Sequence, residues 1–408
     1  MNIALINHYA GSKQHGMEYR PFYLAREWTN CGHNVCIISA SFTHLRNRNP
    51  QISGYLTEEM IEGVRYLWIR TPSYHGNGIG RFVNIISFIK GMNKIDDSIL
   101  GFSPDVVIAS STYPFDIYPA KHLQKKYLSK LVFEVHDLWP LTLIELAGMS
   151  KWHPFIVFMQ QAENYAYQKA DRVVSILPKA YEYMQNHGMS PEKFVYIPNG
   201  ISKEEWENNN SPVPQQHSEL LTRLREEKRF IIGYTGSHGL TDTLDTLIES
   251  ASLLKNRPVT FLLVGQGPEK ERLGNKASKS GLENVIFLPP VQKSSIPRLL
   301  DTMDMLYVGC KKKSIYRFGV SPNKLFDYMM AGKPIIHAIE AGNNLVDECC
   351  CGISIQPENP AAVVGAVQKL ISMGAAERTI MGVRGKEYVL ANHDYKVLAK
   401  RFLSALIS

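Results

Sequence analysis

Residues 230–268 read FIIGYTGSHGLTDTLDTLIESASLLKNRPVTFLLVGQGP, and this stretch decides the fold that we predict. It contains two short runs of branched and aromatic residues, Phe230–Thr235 and Val259–Val264, each followed by a glycine-containing loop. A helical pattern over Asp245–Lys255 lies between the two runs. Strands that alternate with helices in this way build parallel sheets with crossover helices, so the stretch predicts one strand–helix–strand unit.

The same alternation continues in both directions and predicts two α/β domains. Towards the C-terminus, further strand candidates are Val285–Leu288, Met305–Val308 and Pro334–Ala338. An N-terminal series has the strand candidates Asn2–Asn7, Asn34–Ser39, Val64–Arg70, Asp105–Ser110, Leu131–His136, Arg172–Ile176 and Phe194–Ile197. We expect two Rossmann-like, doubly wound domains that face each other across a cleft, with ligands beyond the carboxyl ends of the strands.

A polar segment between the two series, NNNSPVPQQH at residues 208–217, is the best linker signal in the chain. We therefore expect an N-terminal domain over residues 1–200 and a C-terminal domain over residues 201–385. A helical pattern at residues 386–408 predicts a final helix that crosses back onto the first domain.

The composition excludes several classes of protein. The 408 residues carry a formal charge of +7, from 45 Lys and Arg against 38 Asp and Glu. No basic tail or block is present, so the charge alone does not indicate nucleic-acid binding. Six cysteines are too few for a disulfide scaffold and suit a reducing compartment. No window approaches the roughly 18 apolar residues of a transmembrane helix, so we expect a cytoplasmic protein.

Two strand ends of the first series carry candidate functional residues. The loop NHYAGSKQHGMEYRP at residues 7–21 follows the first strand, and its Gly16 could let the backbone approach a phosphate or sugar. His136 and Asp137 follow the apolar run at residues 131–135. A histidine there could donate to a hydroxyl or stabilise developing negative charge. A purely structural His–Asp pair explains these two residues equally well.

The second series carries the stronger signals. Three glycines at its strand ends could bring backbone amides to a diphosphate: Gly236, Gly265 and Gly267. In the block SPNKLFDYMMAGKPII at residues 321–336, Lys324 could meet a phosphate as a point charge. Asp327, three residues on and on the same helix face, could accept hydrogen bonds from two vicinal ribose hydroxyls. A solvated salt bridge between the two is the alternative, which their apolar neighbours make less favourable.

Metal and serine-nucleophile chemistry are not indicated. The sequence has no DxD motif near a strand end and no cluster of His, Cys and carboxylates with ligand spacing, so we expect no catalytic metal. It also lacks the GxSxG motif of a serine hydrolase. Lys311–Lys313 and Arg317 precede the block at 321–336 and are either a solvated face or additional charge for a phosphate.

Several motifs occur in the order of a known family: LAREW at residues 24–28, VHDLWP at 135–140, IPNGI at 197–201, VGQGP at 264–268 and the block at 321–336. With them the chain resembles the family four retaining glycosyltransferases, which have the GT-B fold, over nearly its whole length. It is similar in particular to the O-antigen and capsule transferases that include the N-acetyl-L-fucosaminyl transferases. The IPNG motif and the block at 321–336 are the specific part of the resemblance.

The resemblance implies a nucleotide-sugar donor, UDP-linked, bound chiefly to the second domain. It implies that Asp327 holds the ribose and that His136 approaches the donor sugar. By the same resemblance the catalytic residues are His136, Asp137 and Lys324, and the donor-binding residues are Gly16, Asn199, Gly236, Ser237, Gly265, Gly267, Arg317, Asn323, Lys324 and Asp327. Reactions of this family retain the anomeric configuration and need no metal, so the enzyme positions its reactants and stabilises the leaving diphosphate.

The chain departs from the family at three positions. Ser237 and Asp242 stand where typical members carry an Arg and a Lys, and Gly319 replaces the first of two glutamates. The usual cationic clamp is therefore incomplete. Arg317, Lys324 or the basic run at residues 311–313 would have to replace it.

A helical pattern at residues 81–100, RFVNIISFIKGMNKIDDSIL, suggests a membrane contact. Its apolar residues Phe82, Ile85, Ile86, Ile89 and Met92 gather on one face, and basic residues flank them. Such a helix can rest on anionic lipid, although a core-facing helix has the same pattern.

We therefore expect a metal-independent glycosyltransferase on the inner face of the plasma membrane. It would move a sugar, such as N-acetyl-L-fucosamine or another hexosamine, from a UDP-sugar to a polyprenyl-diphosphate-linked saccharide. The product would serve O-antigen, lipopolysaccharide or capsule assembly. The alternatives are a UDP-sugar 2-epimerase of the same fold and a non-catalytic, transferase-like partner subunit.

Overall fold

The computed structural model describes residues 1–76, 78–208 and 211–407. The strands are β1 (Asn2–Ile6), β2 (Asn34–Ala40), β3 (Leu56–Ile61), β4 (Val64–Ile69), β5 (Val106–Ala109), β6 (Lys130–Val135), β7 (Arg172–Ser175), β8 (Phe194–Tyr196), β9 (Phe230–Ser237), β10 (Val259–Gln266), β11 (Val285–Leu288), β12 (Met305–Gly309), β13 (Ile335–Ala338) and β14 (Gly352–Ser354). The helices are α1 (Arg20–Asn30), α2 (Ile79–Met92), α3 (Asp97–Leu100), α4 (Ile117–Tyr127), α5 (Leu141–Glu145), α6 (Pro154–Lys169), α7 (Tyr181–Asn186), α8 (Lys203–Asn208), α9 (Gln215–Glu226), α10 (Leu244–Leu253), α11 (Lys270–Lys279), α12 (Ile296–Asp301), α13 (Asn323–Met330), α14 (Leu345–Glu348), α15 (Pro360–Ser372), α16 (Ala375–Asn392) and α17 (Tyr395–Ile407).

The chain forms two compact units. Unit 1 consists of Met1–Asn199 together with Tyr395–Ser408, and unit 2 of Gly200–Asp394. The sheet of unit 1 has the strand order β3-β4-β2-β1-β5-β6-β7-β8, and its strands are parallel except for the β3–β4 hairpin. The sheet of unit 2 has the order β11-β10-β9-β12-β13-β14 and is parallel throughout.

Parallel pairing explains why most strands were readable from the sequence. Strands covered on both faces are nearly continuous apolar runs, and β1, β5 and β10 are buried along almost their whole length. We did not predict β3 and β14. β3 reads LTEEMI and is an edge strand with two glutamates, of which Glu58 is exposed, and β14 has only three residues.

Helix α17 completes the core of unit 1 from the far end of the chain. Tyr395 stacks on Tyr23 of α1 with ring centroids 4.7 Å apart. The Trp28 indole Nε1 donates to the Ala399 carbonyl at 3.1 Å, and its ring meets Phe402 edge-on. The predicted crossing helix at residues 386–408 is therefore placed correctly only in its second half, and Ser408 lies outside the described residues.

The first half of that predicted helix belongs to α16 of unit 2. The break between α16 and α17 falls at His393 and Asp394. These two residues, and Asn392 before them, are polar and are weak helix formers. The predicted linker at 208–217 also differs from the structure. It lies inside unit 2, because the units divide at Asn199–Gly200. Helix α8 ends at Asn208, α9 begins at Gln215, residues 211–214 belong to no helix or strand, and Asn209 and Asn210 lie outside the described residues.

Two of the five residues on the predicted membrane face of α2 are buried, and two more, Ile86 and Ile89, are half-buried. Ile85 and Met92 are buried in unit 1, together with Phe88 on the adjoining part of the helix. Phe82 alone among the five predicted residues is exposed. Because α2 carries apolar residues around nearly its whole circumference, the pattern could not show which side packs inward. Within the described residues, no helix has the length and hydropathy to cross a membrane.

Candidate functional site

Glycines bring the strand ends of unit 2 close together. Gly236 at the end of β9 and Gly265 at the end of β10 are register partners, with φ angles of +138° and +152°. A Cβ on Gly265 would lie 1.9 Å from the Gly236 carbonyl oxygen, and one on Gly267 would lie 2.5 Å from the His238 carbonyl oxygen. Only glycine fits at these positions, so the three predicted glycines hold two loops in direct backbone contact.

Lys324 reaches this glycine loop from the first turn of α13. Its Nζ donates to the Tyr234 hydroxyl at 2.7 Å and to the Asp242 carboxylate at 2.6 Å. The ammonium also lies 4.5 Å from the centroid of the Tyr234 ring. The side chains of Lys324 and Asp242 are 22% and 14% exposed, so the pair lies at the surface of the strand ends. The sequence-predicted phosphate ligand is thus already paired with a carboxylate.

Asp327 lies one turn further along α13 and is half-buried. Within residues 1–76, 78–208 and 211–407, no hydrogen bond or ion pair to its carboxylate is formed. Burial raises its pKa to about 6. The positive charge of Lys293 opposes this rise, and the negative charge of Glu205 adds a smaller contribution to it. A carboxylate that is desolvated and lacks a protein partner can accept hydrogen bonds from a ligand.

The remaining predicted residues of unit 2 lie near these two but contact the chain differently. Ser237 and Asn323 are exposed, and the Ser237 carbonyl accepts from the Tyr234 hydroxyl. Arg317 is exposed, donates to the Ser314 carbonyl of its own turn at 2.7 Å and lies over the Phe318 ring.

The basic run at 311–313 begins beside the loop that carries Asp242. The Lys311 amide donates to the Thr241 carbonyl at 2.9 Å. The next side chain, Lys312, is paired with Glu340 at 2.9 Å, and both members of that pair are largely exposed. The run is therefore partly a solvated face and partly a neighbour of the candidate site.

His136 in unit 1 pairs with Glu134, not with Asp137. Its Nε2 lies 3.0 Å from the Ser110 hydroxyl and 3.3 Å from Glu134 Oε2. Residues two apart along a strand share one side, whereas Asp137 is adjacent and accepts from the Thr142 hydroxyl at 3.0 Å. Burial raises the pKa of Asp137 above its ordinary value, and its hydrogen bonds oppose the shift. The alternative of a structural His136–Asp137 pair is therefore wrong.

Arg20 and Glu134 form a buried ion pair that sequence reasoning missed. Arg20 Nε and Nη2 donate to Glu134 Oε1 at 3.0 and 2.9 Å, and the two side chains are 2% and 0% exposed. Burial would raise the pKa of Glu134, but the charges of Arg20 and His136 and the hydrogen bond from Ser110 hold it well below its ordinary value. The charge of Glu134 within the apolar run LVFEV was the available signal.

Arg20 also ties this pair to the predicted IPNG motif. It donates to the carbonyls of Ile197 and Pro198 at 2.9 and 2.5 Å. The side chain of Asn199, a predicted donor-binding residue, lies 3.5 Å from Arg20 Nη1. The carboxyl ends of β6 and β8 are therefore joined by one guanidinium.

The loop after β1 folds back on itself around its glycines. Gly16 has φ +97°, and a Cβ on Gly11 would lie 1.9 Å from the Gly16 carbonyl oxygen. Glu18 in this loop is half-buried, and burial raises its pKa while the charge of His136 opposes the shift. Glu18 therefore lies near His136, a proximity that a long loop does not reveal in the sequence.

The structure thus assembles two groups, one in each unit. In unit 1 it brings Arg20, Glu134, Ser110 and His136 together, with Asn199 at the edge. In unit 2 it gathers five predicted residues at the carboxyl ends of β9 and β10, with Asp327 one turn further along α13: Gly236, Ser237, Gly265, Gly267 and Lys324. The described part of the chain has no group of three or more His, Cys, Asp or Glu residues that could hold a metal ion.

Comparison with protein families finds two matches, neither of which covers half of the chain. Residues 15–205 match Glycosyltransferase Family 4, and residues 229–373 match Glycosyl transferases group 1. The chain is 22% identical over 268 residues to a Pseudomonas aeruginosa protein named as a glycosyltransferase, WbjE, covering 64% of this chain and 66% of the relative. It is 26% identical over 264 residues to an Escherichia coli (strain K12) protein named as a colanic acid biosynthesis glycosyl transferase, WcaI, covering 64% and 62%. The matched regions thus span less than two thirds of these relatives.

Solved structures match over the whole chain and confirm the predicted GT-B fold, with its two Rossmann-like units. Sucrose-phosphate synthase from Thermosynechococcus elongatus superposes with a TM-score of 0.72 at 16% identity, covering 99% of this chain and 98% of that one. The Anabaena protein HepE, solved with UDP and glucose, superposes with a TM-score of 0.67 at 14% identity, covering 99% of both chains.

Proposed function

We propose that this chain, which carries a family 4 and a group 1 glycosyltransferase domain, is a retaining glycosyltransferase of polysaccharide biosynthesis that uses a UDP-sugar donor. One observation carries the proposal: Lys324 and Asp327 stand one turn apart on α13, beside the glycine loops of β9 and β10 and inside the group 1 domain. A cation for phosphate and an unpartnered carboxylate for ribose at this spacing suit a nucleoside diphosphate. HepE, which shares the fold, was solved with UDP.

In the proposed reaction, the bond between the sugar's anomeric carbon and the diphosphate oxygen breaks while a bond to the acceptor hydroxyl forms on the same face. The departing diphosphate oxygen takes the acceptor's proton. Lys324 and the backbone amides of the glycine loops would stabilise the charge that develops on the diphosphate. In unit 1, Glu134 and Ser110 orient His136 through its Nε2, and we propose this imidazole for contact with a hydroxyl of the donor sugar.

For the acceptor we propose a polyprenyl-diphosphate-linked saccharide of the O-antigen, lipopolysaccharide or capsule type. Such an acceptor resides in the membrane, so the enzyme would work as a peripheral protein on the inner face of the plasma membrane. WcaI, which is named for colanic acid biosynthesis, supports a polysaccharide pathway. For the sugar we propose a hexosamine of the N-acetyl-L-fucosamine type, because the block at 321–336 is similar to those transferases.

The activity is tested with the intact protein and a panel of nucleotide sugars. A donor should raise the melting temperature, because a ligand that binds only the folded state stabilises it. With a short polyprenyl-diphosphate saccharide and EDTA present, that donor should release UDP and extend the acceptor with retained configuration. Donor binding without turnover would instead favour the non-catalytic partner subunit, which the neutralised Lys324 would suit. Epimerisation of the sugar without an acceptor would favour the 2-epimerase.

The raised pKa of Asp327 predicts a pH dependence of UDP binding. Above about pH 6 the carboxylate is ionised and accepts hydrogen bonds from both ribose hydroxyls, and below it the protonated group accepts more weakly. UDP affinity should therefore fall as the pH drops from 7 to 5. The variant Asp327→Asn should bind UDP about tenfold more weakly than wild type at pH 7, and its affinity should not show this fall. Calorimetry of UDP binding measures both, and an identical pH profile in the variant would contradict the assignment.

For the membrane contact we propose a set of exposed apolar side chains that shares only Phe82 with the predicted face. These side chains lie at the start of α2, on α6 and just before α6, and are called the aromatic patch: Ile79, Phe82, Val83, Trp152 and Phe158. Phe82 and Phe155 meet edge-on at 5.7 Å and connect α2 to α6. Lys151 lies 5.2 Å from the Trp152 ring, which places a cation beside an aromatic side chain of the kind that favours the lipid interface.

We expect Trp152→Ser combined with Phe158→Ser to reduce flotation with anionic vesicles at least about threefold, because two interfacial anchors are lost. Leu253→Ser is the matched control, since Leu253 in unit 2 is 63% exposed, as is Phe158. Flotation of the double variant at the level of the control would show that the aromatic patch does not contact lipid.

A further inference from the structure

Two hydrogen-bond donors from separate parts of unit 2 converge on the Asp242 carboxylate. Lys324 Nζ donates to Oδ1 at 2.6 Å, and the Gly239 amide donates to Oδ2 at 3.2 Å. An ammonium and a backbone amide at the end of a parallel strand are the groups that bind a phosphate oxygen. In this structure they bind a carboxylate of the chain itself.

The pair is placed so that a ligand can reach it. Both side chains are partly exposed, at 22% for Lys324 and 14% for Asp242. An ion pair between partly exposed groups is weak, because water competes for both charges. A dianionic phosphate could therefore displace the carboxylate, whereas a fully buried pair such as Arg20–Glu134 would resist displacement.

Lys324 does not depend on Asp242 alone for its position. The Tyr234 hydroxyl accepts from Nζ at 2.7 Å, and the ring of Tyr234 lies 4.5 Å from the ammonium. Tyr234 is fixed in turn by donating to the Ser237 carbonyl. Removing the carboxylate should therefore leave the ammonium in place with one donor position free.

We propose that Asp242 is an internal anion that occupies a phosphate subsite formed by Lys324 and the Gly239 amide, and that it sets the affinity of this subsite for diphosphates. The inference rests on the proposed function, since the diphosphate would be that of the nucleotide-sugar donor. Asp242 lowers the net charge of the subsite from +1 to zero, so donor binding includes the cost of displacing it. A donor must then gain enough from its nucleoside and sugar contacts to bind, which selects against free phosphates and pyrophosphate.

The test is calorimetric binding of inorganic pyrophosphate and of UDP to the intact wild type, Asp242→Asn and Asp245→Asn. Asp245 is the matched control, because it carries the same charge and is paired with Arg272 and Lys276, both on α11. We expect Asp242→Asn to bind pyrophosphate at least about tenfold more tightly than wild type, since a like charge beside a bound anion is costly. Asp245→Asn should stay within about twofold of wild type.

Pyrophosphate affinity of Asp242→Asn equal to or below that of wild type would overturn the inference. If circular dichroism shows that Asp242→Asn does not fold, Asp242→Ser replaces it. That variant also removes the charge, and the same change in pyrophosphate affinity is expected of it.

Different outcomes refute the two proposals. UDP binding that is equal in wild type and Asp242→Asn refutes the internal anion and leaves the transferase intact. Tighter pyrophosphate binding without any affinity for UDP or UDP-sugars refutes the transferase and leaves the anion subsite.

Discussion

Replacing Lys324 with alanine should lower sugar transfer at least about 100-fold, because the variant loses a cation beside Gly236 at the moment when charge develops on the leaving diphosphate. The loss should appear in kcat as well as in donor affinity, since the charge is greatest in the transition state. Initial rates of UDP release over a range of donor concentrations separate the two effects.

The fold should survive this change, because Lys324 is at the surface and its partner Asp242 can be solvated. Lys333→Ala is the matched control. Lys333 is also 22% exposed and also pairs with a carboxylate, that of Asp301 at 3.3 Å, but it lies past the opposite end of α13. Activity of Lys324→Ala at the level of this control would refute the role of Lys324.

Replacing Arg20 with methionine should reduce the free energy of unfolding of unit 1 by about 3–5 kcal/mol, the usual cost of leaving one member of a buried ion pair without its partner. Glu134 would remain fully buried with only Ser110 and His136 as polar neighbours. The carbonyls of Ile197 and Pro198 would also lose their donor. Tryptophan fluorescence during denaturant unfolding follows unit 1, because four of the five tryptophans, at positions 28, 68, 139 and 152, are in that unit.

Arg48→Met makes the same chemical change at an exposed position of unit 1 and should alter stability by less than about 0.5 kcal/mol. The double change Arg20→Met with Glu134→Gln should recover part of the loss, since the uncompensated charge is removed. A single variant that unfolds within about 1 kcal/mol of wild type would show that water or His136 compensates Glu134.

The order of strands and helices was predictable because it depends on local patterns, namely short apolar runs separated by helical patterns. Lys324 and Asp327 were recognised for the same reason, since three residues of helix place them on one face. The pairing of Lys324 with Asp242 joins positions 82 residues apart, and only the register of β9 beside β12 brings them together. Such a contact has no local signature.

Two further misinterpretations have definite physical causes. His136 and Asp137 are adjacent in sequence, yet adjacent residues at the end of a strand point to opposite sides, so spacing by two favoured Glu134 as the partner. Glu134 could have been identified as a buried charge in need of a cation, although its partner Arg20 is 114 residues away. In α2 the apolar residues exceed what one face can hold, and tertiary packing decided which of them are buried.

The return of α17 to unit 1 has a consequence for how the chain is made. A ribosome releases residues 1–199 first and then synthesises all of Gly200–Asp394 before α17 follows. At roughly 5–20 residues per second, this interval lasts about 10–40 s. Throughout it, Tyr23 and Trp28 lack the partners that α17 provides, so the nascent first unit presents an uncovered apolar groove. The second unit can fold during this interval, so the core of the first unit is completed only after the second unit has been synthesised.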